Sequence, residues 1–229
     1  MNKSKLQIIA MLTMFCDHLA KVLIYPVVIG QHSIAWLQIH RLYLQSYDAL
    51  TFVGKVTFPI FAFFIVEGFF HTKNLNNYIK RLFGLTIISE IPFDLATSGK
   101  LINLKSQNVI WTLLLGLLII VSLQNKERWL GLISSLGLSV VAYFLKVDWG
   151  VYPGILLIVV FYLIRGNKKL LPLGYLLMIP EVGIFSGVEL AFVLLALYNG
   201  NKGRINSYAC YIFYPLHLLL LGILRLILI

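Results

Sequence analysis

The stretch LQIIAMLTMFCDHLAKVLIYPVVI, residues 6–29, decides the fold class. Its run of about 24 mainly apolar residues exceeds the roughly 20 that an α-helix needs to cross a bilayer. It contains no A-x-A cleavage pattern, which predicts an uncleaved first helix after Lys3 and Lys5. Asp17 and His18 interrupt this run, although a charged side chain at bilayer depth costs roughly 2.5–3.5 kcal/mol. Such residues normally face a bundle interior or water, so function is expected near them.

The composition supports a membrane protein throughout. Of the 229 residues, 59% are hydrophobic and 12% are charged, with a mean hydropathy of +0.87. Soluble domains are only about 45–50% apolar. Unbroken apolar runs such as 111–123 favour helices over the alternating pattern of outer-membrane barrels. We therefore expect an all-α polytopic bundle, with residues 1–229 forming a single integral membrane domain in the plasma or inner membrane.

The apolar runs predict about nine transmembrane helices, with eight to ten possible. The predicted spans are 6–29, 52–70, 79–96, 109–123, 129–145, 151–164, 170–184, 187–198 and 208–228. Loop charge favours a cytoplasmic N-terminus, because positive residues accumulate on the cytoplasmic side. The basic residues then assigned to the cytoplasm are Lys3, Lys5, Lys73, Lys80, Arg81, Lys126, Arg128, Arg165, Lys168, Lys169, Lys202 and Arg204. Because topology accounts for the net charge of +10, no nucleic-acid partner is expected.

Two histidines fall near the middle of the bilayer. At 1.5 Å per residue, His18 lies about 18 Å into a hydrocarbon slab of roughly 30 Å, and His217 lies about 14 Å in. Other polar residues divide between the two sides of the membrane. Those at the outer side include Lys55, Glu90, Asp94 and Asn108, and those at the inner edge include Glu67, His71, Arg81 and Asn199.

His18 is the best candidate for a general base, because an imidazole titrates near neutral pH. Adjacent helix positions point about 100° apart, so Asp17 cannot orient His18 and a partner must come from another helix. The alternative is a structural histidine bonded to a carbonyl group. Asp17 would then pair with Lys21, four residues further along the helix.

The motif EGFFHT places Glu67 and His71 on one helical face. These residues could hold a metal, pair with Lys80 or Arg81, or adjoin an anion site formed by Lys73, Lys80 and Arg81. The second histidine of an H-E-x-x-H motif is missing, so no metal is expected.

Two further motifs contain a proline beside ionisable residues. SEIPFDLA places Glu90 and Asp94 around Pro92, and FYPLHLL places His217 two residues after Pro215. Proline frees a backbone carbonyl, which is tolerated in a membrane where the backbone lines a cavity or is buried in protein. Both a polar cavity and simple packing remain open. Asn199, in the motif YNGNKG, reads most simply as part of a cytoplasmic turn.

Six motifs in order resemble the TraX family of conjugal pilin acetylases: DHLAK, KVTFPIFAFFIVEGFFHTKN, YIKRL, SEIPFDL, YNGNKG and FYPLHLLLL. The resemblance implies an inner-membrane N-acetyltransferase that modifies a pilin amino terminus during conjugation. It also implies kinship with integral-membrane acyltransferases, which take an acyl donor from the cytoplasm and modify an acceptor outside. In those relatives an early-helix histidine after a basic residue serves the transfer. His18 matches that histidine, and Lys5 is the nearest preceding basic residue.

These observations lead to the hypothesis of an acetyl-CoA-dependent membrane acyltransferase. The expected acceptor is an amine or hydroxyl, on a pilin-like peptide or a surface glycan. His18 would take the proton, with His217, Glu90 or Asp94 orienting it or relaying the proton. Asp17, next to His18, is also assigned to the catalytic site. Lys55 or Asn108 would stabilise the oxyanion. The residues expected to bind the adenosine phosphates are Lys73, Lys80, Arg81, Lys202 and Arg204.

Two other functions fit the same residues. Intramembrane acids and histidines also build proton relays in transporters, although the halves of this chain show no inverted repeat. A membrane assembly factor with structural charge pairs is the remaining alternative.

Overall fold

The computed structural model describes residues 1–204 and 207–229, and every element in these ranges is helical. The α-helices are α1 (Lys3–Leu19), α2 (Ile34–Ile39), α3 (Arg41–Gly54), α4 (Thr57–His71), α5 (Leu75–Ser98), α6 (Val109–Leu123), α7 (Arg128–Leu145), α8 (Leu156–Leu163), α9 (Leu171–Val182), α10 (Val188–Ala196) and α11 (Ser207–Leu228). Short π-helical segments continue α1 over Ala20–Val28 and precede α8 over Gly150–Ile155. The all-α prediction is confirmed for the described residues.

Each of the nine apolar segments coincides with helical structure, and α6 has the predicted bounds. The largest difference is α3, which begins at Arg41 and not near residue 52. Its first half carries polar residues such as Gln45 and Asp48, which resemble a loop in sequence but occupy a helix here.

Within the described residues, four helical stretches are long and apolar enough to cross a membrane: Lys3–Gln31, Arg41–His71, Arg128–Leu145 and Tyr208–Leu228. Helix α5 has comparable length, but Lys80, Arg81, Glu90 and Asp94 lie along it. Large apolar side chains on α7, including Ile133 and Phe144, are exposed, as expected for a surface that faces lipid. The chain is thus a helical membrane protein, while nine crossings and a cytoplasmic N-terminus stay predictions.

The chain divides into two compact units, each made of separated segments. The first unit comprises Met1–Ile60, Ile91–Asn103 and Phe185–Ile229, and the second comprises Phe61–Glu90 and Leu104–Ile184. Helices α4 and α5 therefore contribute residues to both units. The expectation of a single membrane domain stays a prediction.

In the first unit, α1 and α11 run in the same direction. The Ser4 hydroxyl donates to the carbonyl of Lys202, just before α11, and His18 contacts His217 further along both helices. The junction of α3 and α4 runs the opposite way, because Gly54 packs against Asp17 while Thr57 bonds to Thr13. These directions place the end of α1 beside the middle of α11.

A β-carbon on Gly54 would overlap the side chain of Asp17. The missing side chain therefore permits the close approach of α3 to α1 at the end of α1 that carries the polar residues. Lys55 follows directly as the C-terminal cap of α3.

In the second unit, α6 is the buried helix and packs against α7 and α8. Leu117, Ile120, Leu157 and Ile158 are among its fully buried side chains. Gly116 lets Ile158 approach the backbone of α6, because a β-carbon at that position would overlap the isoleucine. This apolar core holds the start of α6, where a cluster of polar residues is found.

Candidate active site

The structure brings His18 and His217 together inside the first unit. The Nδ1 atom of His18 lies 2.7 Å from Nε2 of His217, and the ring centroids are 4.9 Å apart. His217 is only 4% exposed and His18 is partly buried. The partner that His18 requires from another helix is therefore His217, from α11.

The hydrogen bonds determine the neutral tautomer of each ring. His217 Nδ1 lies 2.7 Å from the carbonyl oxygen of Phe213, which can only accept, so this nitrogen carries the proton. In a neutral ring, Nε2 of His217 is then an acceptor, and Nδ1–H of His18 donates to it. His18 is left with an unprotonated Nε2, which is the form that a general base requires.

Aromatic side chains surround the pair. Phe213 stacks on His217 with a centroid distance of 4.7 Å, while Tyr214 meets both imidazoles edge-on. Phe15, from α1, lies on another side of His217. These rings restrict the rotation of the buried imidazole and limit the access of water to it. They therefore favour the tautomers that the two hydrogen bonds assign.

Asp17 forms an ion pair with Lys21, at 2.8 Å between Oδ2 and Nζ. This is the i,i+4 pairing that the sequence offered as the structural alternative, and a catalytic role for Asp17 stays a prediction. Lys55 lies next to Gly54, where α3 packs against Asp17. Its predicted role at the oxyanion also stays a prediction.

Asp94 belongs to the first unit and is 3% exposed. Its Oδ2 accepts the backbone N–H of Asn103 at 2.7 Å. Close by, the Arg225 side chain donates to the carbonyl groups of Ala96 and Thr97, both at 2.7 Å. The end of α5 is thereby fixed to α11.

In the second unit, Glu90, on α5, lies beside the start of α6. Its Oε2 accepts hydrogen bonds from Asn108 Nδ2 and, at 3.0 Å, from Trp111 Nε1. The second amide hydrogen of Asn108 goes to the Thr86 carbonyl, and its oxygen caps α6 at Ile110 N. Both amide donors of Asn108 are thus occupied within the fold, and its predicted oxyanion role stays a prediction. A relay role for Glu90 stays a prediction.

Glu67 and His71 also belong to the second unit. Glu67 lies 3.6 Å from Arg165, whose guanidinium stacks on Phe70 at 3.9 Å. The expected pairing with Lys80 or Arg81 is therefore wrong, since Arg165 is held beside Glu67 by the aromatic ring. His71 Nδ1 bonds to the carbonyl of Glu67 at 2.8 Å. Within residues 1–204 and 207–229, no group of three or more His, Cys, Asp and Glu side chains could hold a metal.

The basic residues predicted to bind phosphates are exposed and divide between the units. Lys73, Lys80 and Arg81 belong to the second unit, and Lys202 and Arg204 to the first. Their predicted role stays a prediction.

Asn199 forms a turn, as the sequence indicated. Its Oδ1 accepts the N–H of Asn201 at 3.1 Å, and its own N–H donates to Met1 O. Lys3 N–H donates to Asn201 O, so this turn is joined to the start of α1.

Sequence reasoning missed four contributors to these sites: Phe213, Trp111, Asn103 and Arg225. Arg225 could have been found, because a charged residue within an apolar helix signals a buried role. The other three could not, because a backbone carbonyl, a backbone N–H and an indole N–H leave no charge signal in the sequence.

The helices and the buried histidine pair define a membrane protein with an ionisable centre inside its first unit. The chain belongs to the TraX family, since the family model described as TraX protein matches residues 2–225. It is also similar to a protein of Dichelobacter nodosus named "Probable fimbrial assembly protein FimC, serogroup H1". The two are 33% identical over 204 residues, which cover 76% of this chain and 82% of the relative. No solved structure matches the chain.

Proposed function

We propose that the protein is a multi-pass acetyltransferase of the cell membrane, with nine crossings and a cytoplasmic N-terminus. It transfers the acetyl group of cytosolic acetyl-CoA to an amino group at the outer side. The observation that carries this proposal is the His18–His217 hydrogen bond, together with the bond from His217 to Phe213 O. These bonds leave a lone pair on His18 Nε2.

The chemistry follows from that lone pair. The acceptor nitrogen attacks the thioester carbon and forms a C–N bond, while His18 Nε2 takes a proton from the nitrogen. The C–S bond then breaks, and the imidazolium of His18 returns the proton to the departing thiolate as coenzyme A. The cation formed on His18 is stabilised by the bond from its Nδ1–H to His217 Nε2. Lys55 is the candidate donor to the oxyanion.

The donor is proposed to approach from the cytoplasmic side. Lys73, Lys80 and Arg81, and separately Lys202 and Arg204, are exposed cations that suit its phosphates. The common direction of α1 and α11 agrees with both helices crossing outward, which the nine-span topology requires.

Family membership and the name of the relative support a pilin-like acceptor. Pilin-type proteins are exported, so their amino groups are presented at the outer side. A surface glycan amine is the other acceptor of the same chemistry.

The hydrogen bonds argue against a proton-coupled carrier. A relay must pass a proton onward. The series of hydrogen bonds from His18 through His217 ends on the carbonyl oxygen of Phe213, which has no proton to transfer. An assembly factor without enzymatic activity is the remaining alternative, and it would transfer no acetyl group.

Membranes from cells that produce the protein can be incubated with acetyl-radiolabelled acetyl-CoA, beside membranes from cells without it. We expect label on a membrane-associated acceptor only in the first sample. Equal labelling in the two samples would reject the acetyltransferase, and pH-driven solute uptake by vesicles would favour the carrier.

A further inference from the structure

Asp94 is a buried carboxylate whose hydrogen bonding is incomplete. It is 3% exposed, and Asn103 N–H occupies its Oδ2. Its Oδ1 is buried and has no hydrogen-bond partner within residues 1–204 and 207–229. A buried carboxylate oxygen without a donor is strongly unfavourable, so this atom calls for a positively charged or hydrogen-bonding ligand.

The surroundings of Asp94 increase its need for a positive charge. Asp94 lies one turn before the end of α5 at Ser98, where the helix dipole is already negative. Arg225 offsets that dipole by donating to the carbonyls of Ala96 and Thr97. Its charge is thereby committed to the helix end, one turn beyond the carboxylate.

The packing of α5 against α11 places Asp94 at nearly the same position along the helix axes as the histidine pair. A β-carbon on Gly222 would lie 3.0 Å from the nitrogen of Ala96. Three residues further along α11, the Arg225 side chain donates to the carbonyl of Thr97, the residue after Ala96. The two helix segments are therefore parallel and in close contact. His217 precedes Gly222 by five residues, or about 7.5 Å along the axis. Asp94 precedes Ala96 by two residues, or about 3 Å, so it lies about 4.5 Å, or roughly one turn, further along the axis than His217.

We propose that Asp94 binds the acceptor as an ammonium ion, through Oδ1, and so selects a charged amine over a hydroxyl. This inference rests on the proposed acetyltransferase function. An ammonium supplies the missing donor and neutralises the carboxylate, and it is then held at nearly the same depth along the helices as the histidine pair.

The bound ammonium must lose one proton before it can attack. That proton moves from the acceptor nitrogen to Asp94 Oδ1, which leaves a neutral amine beside a neutral carboxylic acid. A neutral pair is favoured over an ion pair in a low-dielectric interior. The amine then donates its second proton to His18 during attack, and Asp94 releases its proton to water when the product leaves.

The experiment uses the purified full-length protein in detergent, with butylammonium chloride and butanol as probes. We expect butylammonium to raise the thermal unfolding midpoint by roughly 2 °C or more, and butanol to leave it unchanged. Asp94→Asn keeps an acceptor for Asn103 N–H but removes the charge, so the shift should disappear. Asp148→Asn is the matched control, since that exposed carboxylate also accepts a backbone N–H, and it should behave as wild type.

Turnover gives a second readout. With butylamine as acceptor, Asp94→Asn should raise the acceptor KM at least about tenfold, while the KM for acetyl-CoA stays unchanged. A residue with only a structural role would affect both constants or neither.

The outcomes separate this inference from the proposed function. Butylammonium binding that depends on Asp94, without acetyl transfer, would support the site and reject the function. Acetyl transfer with no stabilisation by butylammonium, or with equal stabilisation of Asp94→Asn, would reject the site alone. If Asp94→Asn does not accumulate, Asp94→Glu replaces it in the same titration, because the extra methylene of glutamate displaces the carboxylate. Half-saturation by butylammonium must then change at least roughly threefold, and an unchanged value overturns the inference.

Discussion

The histidine pair of the first unit and the Glu90 cluster of the second are both buried polar networks, but they end differently. In the cluster, Asn108 uses its two amide hydrogens and its oxygen on Glu90, Thr86 and Ile110. In the pair, the hydrogen bonds run in one direction and leave a lone pair on His18. Asn108, whose hydrogen-bonding groups are all used within the fold, is expected to stabilise it, whereas His18 keeps a reactive atom that can perform chemistry.

The largest effect is expected from removing the reactive atom. His18→Ala should lower acetyl transfer by at least about a hundredfold, because general-base catalysis contributes roughly 10²–10⁴. Radiolabel transfer by purified protein in vesicles measures it, with thermal unfolding as the check on folding. Activity within threefold of wild type, in a folded variant, would remove His18 from the mechanism.

Removing the orienting ring should have a smaller effect on activity. His217→Phe leaves His18 Nδ1–H without its acceptor, and we expect a loss of roughly 10- to 100-fold, or about 1.4–2.7 kcal/mol. His217→Gln retains an acceptor oxygen and should recover part of the rate. Equal loss in both variants would show that packing, and not the acceptor, is what His217 supplies.

Breaking the Glu90 cluster should affect stability more than chemistry. Asn108→Leu removes the cap of α6 and a donor to Glu90, which costs about 2–4 kcal/mol of unfolding free energy. The measurement is the thermal midpoint, together with the rate per folded molecule. A normal midpoint with a reduced rate would reverse the contrast between the two networks and give the cluster a catalytic role.

The sequence predicted the secondary structure better than the contacts. Depth arithmetic brought His18 and His217 to similar heights, because apolar runs define both the length and the position of helices. Which helices touch depends on small residues and on facing surfaces. Gly54 permits the close approach of α3 to Asp17, and Phe70 holds Arg165 beside Glu67. Neither contact can be recognised from a periodic pattern in the sequence. The bond from Asn103 to Asp94 depends on a loop conformation that composition does not specify.

The support around the histidine pair can be tested through Gly54. Gly54→Val introduces an overlap with Asp17, and overpacking of this kind costs about 1–3 kcal/mol. The thermal midpoint should fall accordingly. Gly137→Ala is the matched control, because open space surrounds that position on α7, and it should be neutral or slightly stabilising. A Gly54→Val midpoint equal to that of wild type would argue that α3 does not constrain α1.

The smallest effect is expected at Lys21. Its ammonium is half exposed, and an exposed i,i+4 pair contributes about 0.3–0.5 kcal/mol. Lys21→Ala should change the thermal midpoint by roughly 2 °C at most. A loss of acetyl transfer in this variant would instead favour a catalytic role for Asp17.

The two histidines are 199 positions apart in the chain. Ribosomes add about 5–20 residues per second, so α1 enters the membrane some 10–40 s before His217 is synthesised. During biogenesis the nascent protein therefore contains only half of the pair. The hydrogen bond that orients His18 therefore forms only after the final helix has been synthesised and has packed against the first.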